Sequence, residues 1–376
     1  MSFSFFLLGF LVLPDLLWWA WADRRARGTP WARLLIALFA APMLAQVLWI
    51  LLAPETARRA HHWLPMTWLA AAYLWHLLIL PLTLLALLLG RGARLCGAPD
   101  LSRRRFLALG SALAPPALAG LGAFAGLRTL DDLRVRRLDL PIPGLPPALD
   151  GLVIAHVSDL HYGKFTRAPA LAHLRETLAG FHADLTLFTG DLIDLTLADL
   201  PPAIDFLKSL DPGAGLFLCE GNHDRIHDGA EFAKRVKGAG IALLLDEEAK
   251  VEVRGTEVQL LGVAWQGREE ARREATLRAV GRRDPAAFPI LLAHHPHCFD
   301  HAPGIPLVLS GHTHGGQLML NERLGAGAVL YRYWSGPYRD GDRTLVVSNG
   351  AGNWFPLRWH APAEVAHLTL RAAPPA

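Results

Sequence analysis

Hydrophobic residues are distributed very differently in the first part of the chain and in the rest of it. Up to about residue 127, Leu, Ala and Trp dominate, and charged residues stand in short clusters between long apolar segments. A helix that crosses a bilayer needs about 20 residues, and four segments are long enough: 2–22, 34–53, 63–90 and 106–127. The pattern predicts an all-α transmembrane anchor of about four helices over residues 1–127.

The arginines of this region lie mainly in two of the three loops. Because cytoplasmic loops are enriched in Lys and Arg, we expect the first and third loops to be cytoplasmic, and the N-terminus and the chain after residue 127 to lie outside. The first loop has Arg24, Arg25 and Arg27, the third has Arg91, Arg94, Arg103, Arg104 and Arg105, and the second has only Arg58 and Arg59 beside Glu55.

Two features of the anchor have more than one interpretation. Residues 102–107 (Ser-Arg-Arg-Arg-Phe-Leu) resemble a twin-arginine export signal, but the arginines also fit the cytoplasmic flank of the fourth helix. Both interpretations put the following domain on the same side, and we expect the anchor to be retained. Asp15 is costly in hydrocarbon, so we expect it to face a neighbouring helix or to lie near an interface.

The chain after residue 150 repeats one local pattern, in which a short apolar run ends in residues that can bind metal. Each run has the length and character of a buried strand. The runs 152–158, 183–189, 215–220, 289–293 and 305–310 lead to Asp159 and His161, to Asp191, to Asn222, His223 and Asp224, to His294, and to His312 and His314.

Helical patterns at 168–181, 198–210 and 230–239 separate the first runs, which predicts an α/β sheet over residues 151–376. Ligands of such sheets bind beyond the carboxyl ends of the strands, where these Asp, Asn and His residues fall. Residues 251–263 alternate around Arg254-Gly255 as a strand pair and indicate a second, mixed sheet. Residues 128–150, with prolines from Pro141 to Pro147, are predicted to be a stiff, extended linker.

Composition adds little to this picture. The chain of 376 residues is 52% hydrophobic with a formal net charge of +3, and much of its arginine flanks apolar segments, so no nucleic-acid partner is expected. Its 3 cysteines are too few for a disulfide framework. Oxygen and imidazole donors without thiolate suit Mn, Fe, Zn or similar ions. A carboxylate that bridges two such ions would leave a water between them, activated for attack on phosphorus.

In their order along the chain, these motifs resemble the calcineurin-like metallophosphoesterase superfamily. The blocks are Asp159-x-His161, Gly190-Asp191, Gly221-Asn222-His223-Asp224, the His294 strand end and Gly311-His312-Thr313-His314. The run from Gly311 to Gln317 is similar to the membrane-associated branch, which includes bacterial twin-arginine-exported phosphodiesterases. The resemblance implies a four-layer αββα sandwich of two mixed sheets flanked by helices, and two divalent metal ions.

The resemblance also implies a role for each motif residue. Asp159, His161 and His314 would bind the first ion, Asn222, His294 and His312 the second, and Asp191 would bridge the two. His223 would stabilise the transferring phosphoryl group or protonate the departing oxygen, and Asp224 would orient His223. His295 and His297 remain alternatives to His294, which is preferred because it ends the apolar run. Arg358 has two interpretations, as a ligand of the substrate phosphate or as part of a structural ion pair.

The function expected from these residues is hydrolysis of a phosphoester by a two-metal-activated water, as a phosphodiesterase or phosphatase at the cell (inner) membrane. The anchor suggests a lipid-linked or envelope-derived substrate and an extracytoplasmic catalytic domain. Two alternatives are kept. One is a UDP-2,3-diacylglucosamine pyrophosphatase-like enzyme of lipid A synthesis, whose nucleotide-linked substrate is cytoplasmic. The other is a non-catalytic membrane-bound sensor with the same fold.

Overall fold

The computed structural model describes residues 11–61, 63–92, 101–166, 168–321 and 324–374. Two compact units, Met1–Arg128 and Thr129–Ala376, divide the chain. The described helices of the first unit are α1 (Leu13–Arg25), α2 (Pro30–Leu52), α3 (Pro54–His61), α4 (Met66–Leu74), a π-turn (Trp75–Ile79), α5 (Leu80–Gly92) and α6 (Leu101–Thr129).

Three helical stretches of the first unit are long and apolar enough to cross a membrane: Pro30–Leu52, Met66–Leu89 and Arg105–Thr129. They correspond to the second, third and fourth predicted segments. The first predicted segment begins among residues 1–10, which lie outside the described part, and its described portion is α1, with 13 residues. The number of candidate spans in the described chain is therefore three, where the pattern predicted about four.

Asp15 faces a neighbouring helix, one of the two positions expected for it. Its carboxylate is buried and accepts a hydrogen bond of 2.7 Å from the Trp75 indole, and its second oxygen lies 2.9 Å from His76 Nε2. His76 Nδ1 donates to the Ala72 carbonyl at 2.8 Å. This buried polar contact joins α1 to the π-turn.

The second unit contains two six-stranded sheets. The first has the order β1-β14-β2-β3-β4-β5 and the second the order β12-β13-β9-β8-β7-β6. The strands of the first sheet are β1 (Leu133–Pro143), β2 (Val153–Val157), β3 (Leu185–Thr189), β4 (Leu216–Cys219), β5 (Ala242–Leu243) and β14 (Ala363–Ala373). Those of the second are β6 (Glu248–Val253), β7 (Thr256–Gly262), β8 (Phe288–Leu292), β9 (Leu307–Ser310), β12 (Gly336–Asp340) and β13 (Arg343–Val347).

Both sheets are mixed, as predicted. Strands β2 to β5 run parallel, and β14 is antiparallel to β2. In the second sheet β7, β8, β9 and β13 are parallel, while β6 and β12 pair antiparallel at the two edges. The β6–β7 pair turns at Arg254-Gly255, the position that the alternating pattern indicated.

The remaining elements complete four layers. The helices are α7 (Ala168–Ala179), α8 (Leu200–Lys208), α9 (Gly229–Gly238), α10 (Glu269–Val280) and α11 (Gly327–Leu330), and a hairpin is formed by β10 (Met319–Asn321) and β11 (Leu324–Gly325). Inward residues of both sheets, such as Ile154 and Ile290, form one buried cluster. The outer face of the first sheet packs on α7, α8 and α9 through residues such as Leu174 and Phe232, and the second packs on α10 through Ala275. The predicted αββα sandwich is therefore confirmed.

Part of the predicted linker is instead a sheet strand. β1 pairs in parallel with β14 from Leu133↔Ala363 to Pro143↔Ala373. It lies at an edge, where proline is tolerated because only one side of the strand is hydrogen-bonded. The correction arises because the sequence shows extended backbone at 133–143, whereas only β14, more than 200 residues later, provides the partner that turns it into a strand.

Candidate metal centre

The residues at the ends of β2, β3 and β9 have an uncommon backbone conformation. Positive φ occurs at Asp159 (51°), His161 (43°), Asp191 (53°), His312 (72°) and His314 (51°). Such residues are strained unless the surrounding structure holds them, and they are concentrated at functional sites. Here the backbone N–H of Asp159 binds the Gly190 carbonyl at 2.9 Å, and that of His161 binds the Asp191 carbonyl at 3.0 Å.

Gly221 is required at its position by a close approach of two loops. A Cβ atom added there would lie 2.6 Å from the backbone nitrogen of Asp191 and would also collide with its side chain. The absence of a side chain therefore lets the loop after β4 pack directly on the turn that carries Asp191.

Asp159, His161 and His314 form the first group of candidate ligands. His314 Nε2 lies 3.1 Å from Asp159 Oδ1 and 3.0 Å from His161 Nε2, and all three side chains are buried. His161 and His314 are 153 positions apart in the chain. At this separation the lone pairs of the two imidazole nitrogens would repel each other, so a proton or a cation must lie between them.

Asn222, His294 and His312 form the second group. Asn222 Oδ1 lies 2.9 Å from His312 Nδ1 and 3.2 Å from His294 Nε2, and those two nitrogens are 3.3 Å apart. The neighbouring histidine His295 instead stacks on the His312 ring, with centroids 5.0 Å apart. The structure therefore brings His294 into the group, in agreement with its position at the end of the apolar run.

Asp191 lies between the two groups. Its Oδ2 is 3.5 Å from His161 Nε2 and 3.3 Å from His294 Nε2, while Oδ1 accepts a hydrogen bond of 2.7 Å from the backbone N–H of His223. Burial opposes its charge, but the neighbouring His294 and His223 hold the pKa of the carboxyl well below its usual value. It is thus an ionised carboxylate with one oxygen directed at both groups.

Two of the four candidate histidine ligands are uncharged, whereas at His294 the charges of Asp191 and Asp159 outweigh burial and raise the pKa to about 9. Burial lowers the pKa of His312 to about 3 and that of His314 to about 4, so both are neutral and keep a lone pair for an ion. His294 Nδ1 donates to the Thr189 carbonyl at 2.7 Å, and His312 Nε2 contacts the Tyr331 hydroxyl at 3.2 Å. These contacts leave His294 Nε2 and His312 Nδ1 turned toward Asn222. Outer partners of this kind set the tautomer of metal-binding histidines.

The donor set therefore fits two neighbouring divalent cations. Buried clusters of Asp159, His161 and His314, and of Asp159, Asp191 and His294, each offer ligand atoms within 4.8 Å of one another. Carboxylate, amide and imidazole donors suit Mn, Fe or Zn, and the buried negative charge of two carboxylates favours a cation.

His223 lies beside the first group, with its ring centroid 4.5 Å from that of His161. Its Nδ1 donates to the Asp194 carbonyl at 2.8 Å and lies 3.2 Å from Asp194 Oδ1. Burial lowers its pKa, but the charges of Asp191 and Asp194 outweigh burial and raise the pKa to about 10. A protonated His223 next to the ligand groups can stabilise negative charge or donate a proton.

Asp224 has a different partner from the one expected. Its Oδ2 accepts hydrogen bonds of 2.9 Å from the backbone N–H groups of Asp191 and Gly221, and its Oδ1 accepts from Leu192 at 2.8 Å and Ile193 at 3.1 Å. The prediction that Asp224 orients His223 is therefore wrong. Asp194 holds His223, while Asp224 holds the turn that carries Asp191.

Asp194 was missed although it stands three positions after Asp191, in Gly-Asp-Leu-Ile-Asp. It is also part of a buried cluster with His161 and His223, 3.4 Å from His161 Nδ1. Its position close to Asp191, the predicted bridging residue, was the signal in the sequence that could have identified Asp194. Tyr331 and Trp354 were missed as well. They lie on irregular segments without a motif, so only the folded chain shows that they border the site.

Arg358 is buried and donates hydrogen bonds to the loop in which it lies. Its guanidinium donates to the carbonyls of Ala361 at 2.9 Å and Gly352 at 2.5 Å, and its Nε donates to Asn353 Oδ1 at 2.6 Å. These bonds tie together the loop that follows β13. Arg358 therefore supports the backbone behind His314, whose Nδ1 lies 3.2 Å from the guanidinium.

A cavity of about 310 Å³ opens beside both groups. Asp191, Asn222, His223, His312 and His314 form one part of its lining. Because candidate metal ligands and a protonated imidazole meet at one cavity, the arrangement is suited to hydrolysis of a bound ester.

Comparison with known proteins agrees with this chemistry. A model of the calcineurin-like phosphoesterase family matches residues 152–316 of the chain. A Bacillus subtilis protein named uncharacterized metallophosphoesterase YkuE is 30% identical over 291 residues, which cover 72% of this chain and 98% of the relative. The chain belongs to the calcineurin-like phosphoesterase family. As a calcineurin-like phosphoesterase it is a hydrolase that acts on phosphoester bonds.

Two further relatives extend the comparison. Phosphodiesterase YaeI of Escherichia coli is 30% identical over 232 residues, covering 58% of this chain and 81% of the relative. A transmembrane protein with metallophosphoesterase domain from Danio rerio is 28% identical over 260 residues, covering 64% of this chain. The match spans only 58% of the zebrafish protein. Together with the three apolar helices, the zebrafish relative suggests membrane association of the present chain.

Proposed function

We propose that this protein is a membrane-anchored phosphodiesterase in which Asp159, His161, Asp191, Asn222, His294, His312 and His314 hold two divalent metal ions. The observation that carries the proposal is the position of Asp191, whose Oδ2 lies 3.5 Å from a histidine of one group and 3.3 Å from a histidine of the other. A single carboxylate oxygen so placed is suited to bridging two cations.

Bound cations in such a site supply Lewis acidity and a water that ionises near neutral pH. The chain itself supplies the other parts. Protonated His223 donates to the oxygen that leaves phosphorus, and Asp194 keeps its ring oriented through Nδ1. Asp224 keeps the Asp191 turn in place through its backbone hydrogen bonds. General acid catalysis of this kind contributes roughly 10² to 10⁴ in rate.

We propose a phosphodiester substrate, rather than a monoester or a pyrophosphate, on the basis of one relative. The name of the Escherichia coli relative specifies a phosphodiesterase. For this chain we propose a lipid-linked or envelope-derived phosphodiester, and an inner-membrane location with the catalytic unit on the extracytoplasmic side. The support is the three apolar helices and the arginine-rich first and third loops.

The proposal predicts that full-length protein loaded with Mn²⁺ cleaves bis-p-nitrophenyl phosphate. Asp191→Asn should remove the bridging charge and His223→Ala the proton donor, so each should lower kcat by about 100-fold or more. Release of p-nitrophenolate, followed by absorbance, measures the effect.

His173→Ala is the matched control, because His173 is exposed on α7. It should leave the rate unchanged. If Asp191→Asn and His223→Ala both kept wild-type turnover, the proposed site would be the wrong one.

A further inference from the structure

Part of the lining of the cavity at the candidate metal centre is apolar. Besides the ligand residues, its lining includes Ala326, Gly327, Leu330, Tyr331 and Trp354, which we call the apolar wall. Trp354 lies near His223 and His314, with its ring centroid 6.4 Å from each of their rings. A molecule bound at the ligand groups would therefore contact carbon atoms along this wall.

The apolar wall continues onto the protein surface through α11. Leu330 is 76% exposed although it lines the cavity, and its neighbour Val329 is 85% exposed. In the adjacent hairpin, Leu320 and Leu324 are 60% and 53% exposed. Scattered exposed apolar residues are ordinary, but a run that leads from a catalytic cavity to the surface indicates a binding site.

The cavity also offers little to a second anionic group of a substrate. Among the described residues that line it, none is Lys or Arg, and its cationic groups are the histidines at the metal centre. A substrate with several phosphates, or with another carboxylate, would leave those charges unpaired. The lining is suited to one phosphoester group followed by an uncharged, apolar portion.

The size of the cavity is consistent with such a substrate. Its volume of about 310 Å³ is at the lower end of the range of small-molecule sites, about 300 to 1,000 Å³. It can hold a phosphoester and the first carbons of a chain, and a longer chain would have to continue over Val329 and Leu330 at the surface.

We propose that the apolar wall binds the alkyl portion of an amphiphilic phosphodiester substrate while the ester itself lies at the ligand groups. The proposal rests on the proposed function, since it assigns a substrate class to the same site. Leu330, Tyr331 and Trp354 form the contact inside the cavity, and Val329 extends it outside. The free energy comes from apolar surface removed from water, which corresponds to roughly a fourfold gain in affinity for each buried methylene.

Alkyl p-nitrophenyl phosphates test this substrate class. Full-length protein in nanodiscs is given the methyl, butyl and hexyl diesters, which differ only in chain length, and kcat/KM is measured for each. We expect kcat/KM to rise by about tenfold or more from methyl to hexyl. The double variant Val329→Asn, Leu330→Asn should lose most of this rise, because polar side chains replace the exposed apolar surface.

Leu277→Asn is the matched control, because Leu277 is 44% exposed on α10, away from the cavity lining. It should keep the full dependence on chain length. If the dependence persisted in the double variant, the bilayer rather than the apolar wall would be its source, and the proposal would be overturned.

A second measurement separates this proposal from the proposed function. Calorimetric titration with methyl phosphate and hexyl phosphate compares affinities without turnover. If the wild type binds hexyl phosphate more tightly than methyl phosphate and the double variant does not, the result supports the apolar wall. If the methyl diester is cleaved but neither kcat/KM nor affinity increases with chain length, the role of the apolar wall is refuted and the proposed phosphodiesterase activity is not. Chain-dependent binding without cleavage would refute the phosphodiesterase alone.

Discussion

Two carboxylates close to His223 act on different parts of the site. Asp194 lies 3.2 Å from His223 Nδ1 through Oδ1, and its own pKa is held to about 2, because contacts with His161 and His223 outweigh the effect of burial. Asp224 is completely buried and accepts hydrogen bonds from four backbone N–H groups. The first therefore bears on the reactivity of His223, and the second on the geometry of Asp191.

Substitution of each carboxylate by its amide separates the two roles. Asp194→Asn should lower kcat by roughly 10²-fold, because one of the two negative charges that keep His223 protonated is lost. Its amide oxygen still faces His161, so metal affinity should change little. Asp224→Asn brings N–H groups against backbone donors and should weaken metal binding roughly 10- to 100-fold.

Turnover of bis-p-nitrophenyl phosphate and calorimetric titration with Mn²⁺ measure the two effects. The opposite pattern, with metal binding lost in Asp194→Asn and kcat lost alone in Asp224→Asn, would contradict these assignments.

At the scale of elements, Glu364 connects β14 to β1. Its side chain is fully buried and contacts Arg134 at 2.6 Å and Arg136 at 3.0 Å, and it accepts a hydrogen bond from the Asn349 backbone at 3.0 Å. Burial opposes ionisation, but the two guanidinium groups lower the pKa of this carboxyl below its usual value. The edge strand β1 is thus attached by charge as well as by its backbone pairing.

Glu364→Gln should destabilise the second unit by about 3 to 5 kcal/mol, because it leaves two arginines without their buried counter-ion. The folded carboxyl has the lower pKa, so its contribution is present above the unfolded value of 4.5 and is lost as pH falls through the folded value. The difference between wild type and Glu364→Gln should therefore shrink in acid.

Thermal unfolding followed by tryptophan fluorescence at several pH values measures this difference. Asp139→Asn is the control, because Asp139 pairs with Arg371 on the same two strands at 3.1 Å but is exposed, as is its partner. That substitution should change stability by less than about 1 kcal/mol. A pH-independent difference for Glu364→Gln would show that the ionised carboxylate is not the source.

At the scale of the molecule, the two units have different surfaces. Helices of the first unit expose large apolar residues, including Leu38 (61%), Leu89 (69%) and Leu121 (67%). The second unit keeps its apolar residues mainly in three clusters between and outside its sheets. Exposed leucines on long helices agree with a lipid environment for the first unit.

The arginine distribution predicts the side of the membrane on which the second unit lies. Alkaline phosphatase fused after residue 127 should be active, and green fluorescent protein at the same place should be dark, because that position is expected outside the cytoplasm. The same reporters fused after residue 28, in the first arginine-rich loop, should give the reverse. Fluorescence at residue 127 would overturn this topology and favour a cytoplasmic substrate.

Much of the fold was readable from local patterns. The predicted runs 183–189 and 305–310 contain β3 and β9, and the helical pattern at 168–181 contains α7. These elements are recognisable because their apolar period reflects burial along one continuous segment. The sequence predicts a linker where β1 lies, because an edge strand with prolines has no such period and depends on a partner from the other end of the chain.

The sequence by itself determined the donor types and their placement at strand ends, because both are local properties of short segments. Only the tertiary structure decided which donors meet and which groups hold them. His161 meets His314 across 153 positions, and Asp224 reaches back 33 positions to the Asp191 turn. The contact of Tyr331 with His312 and the apolar wall beside it also depend on packing between segments, which no local pattern encodes.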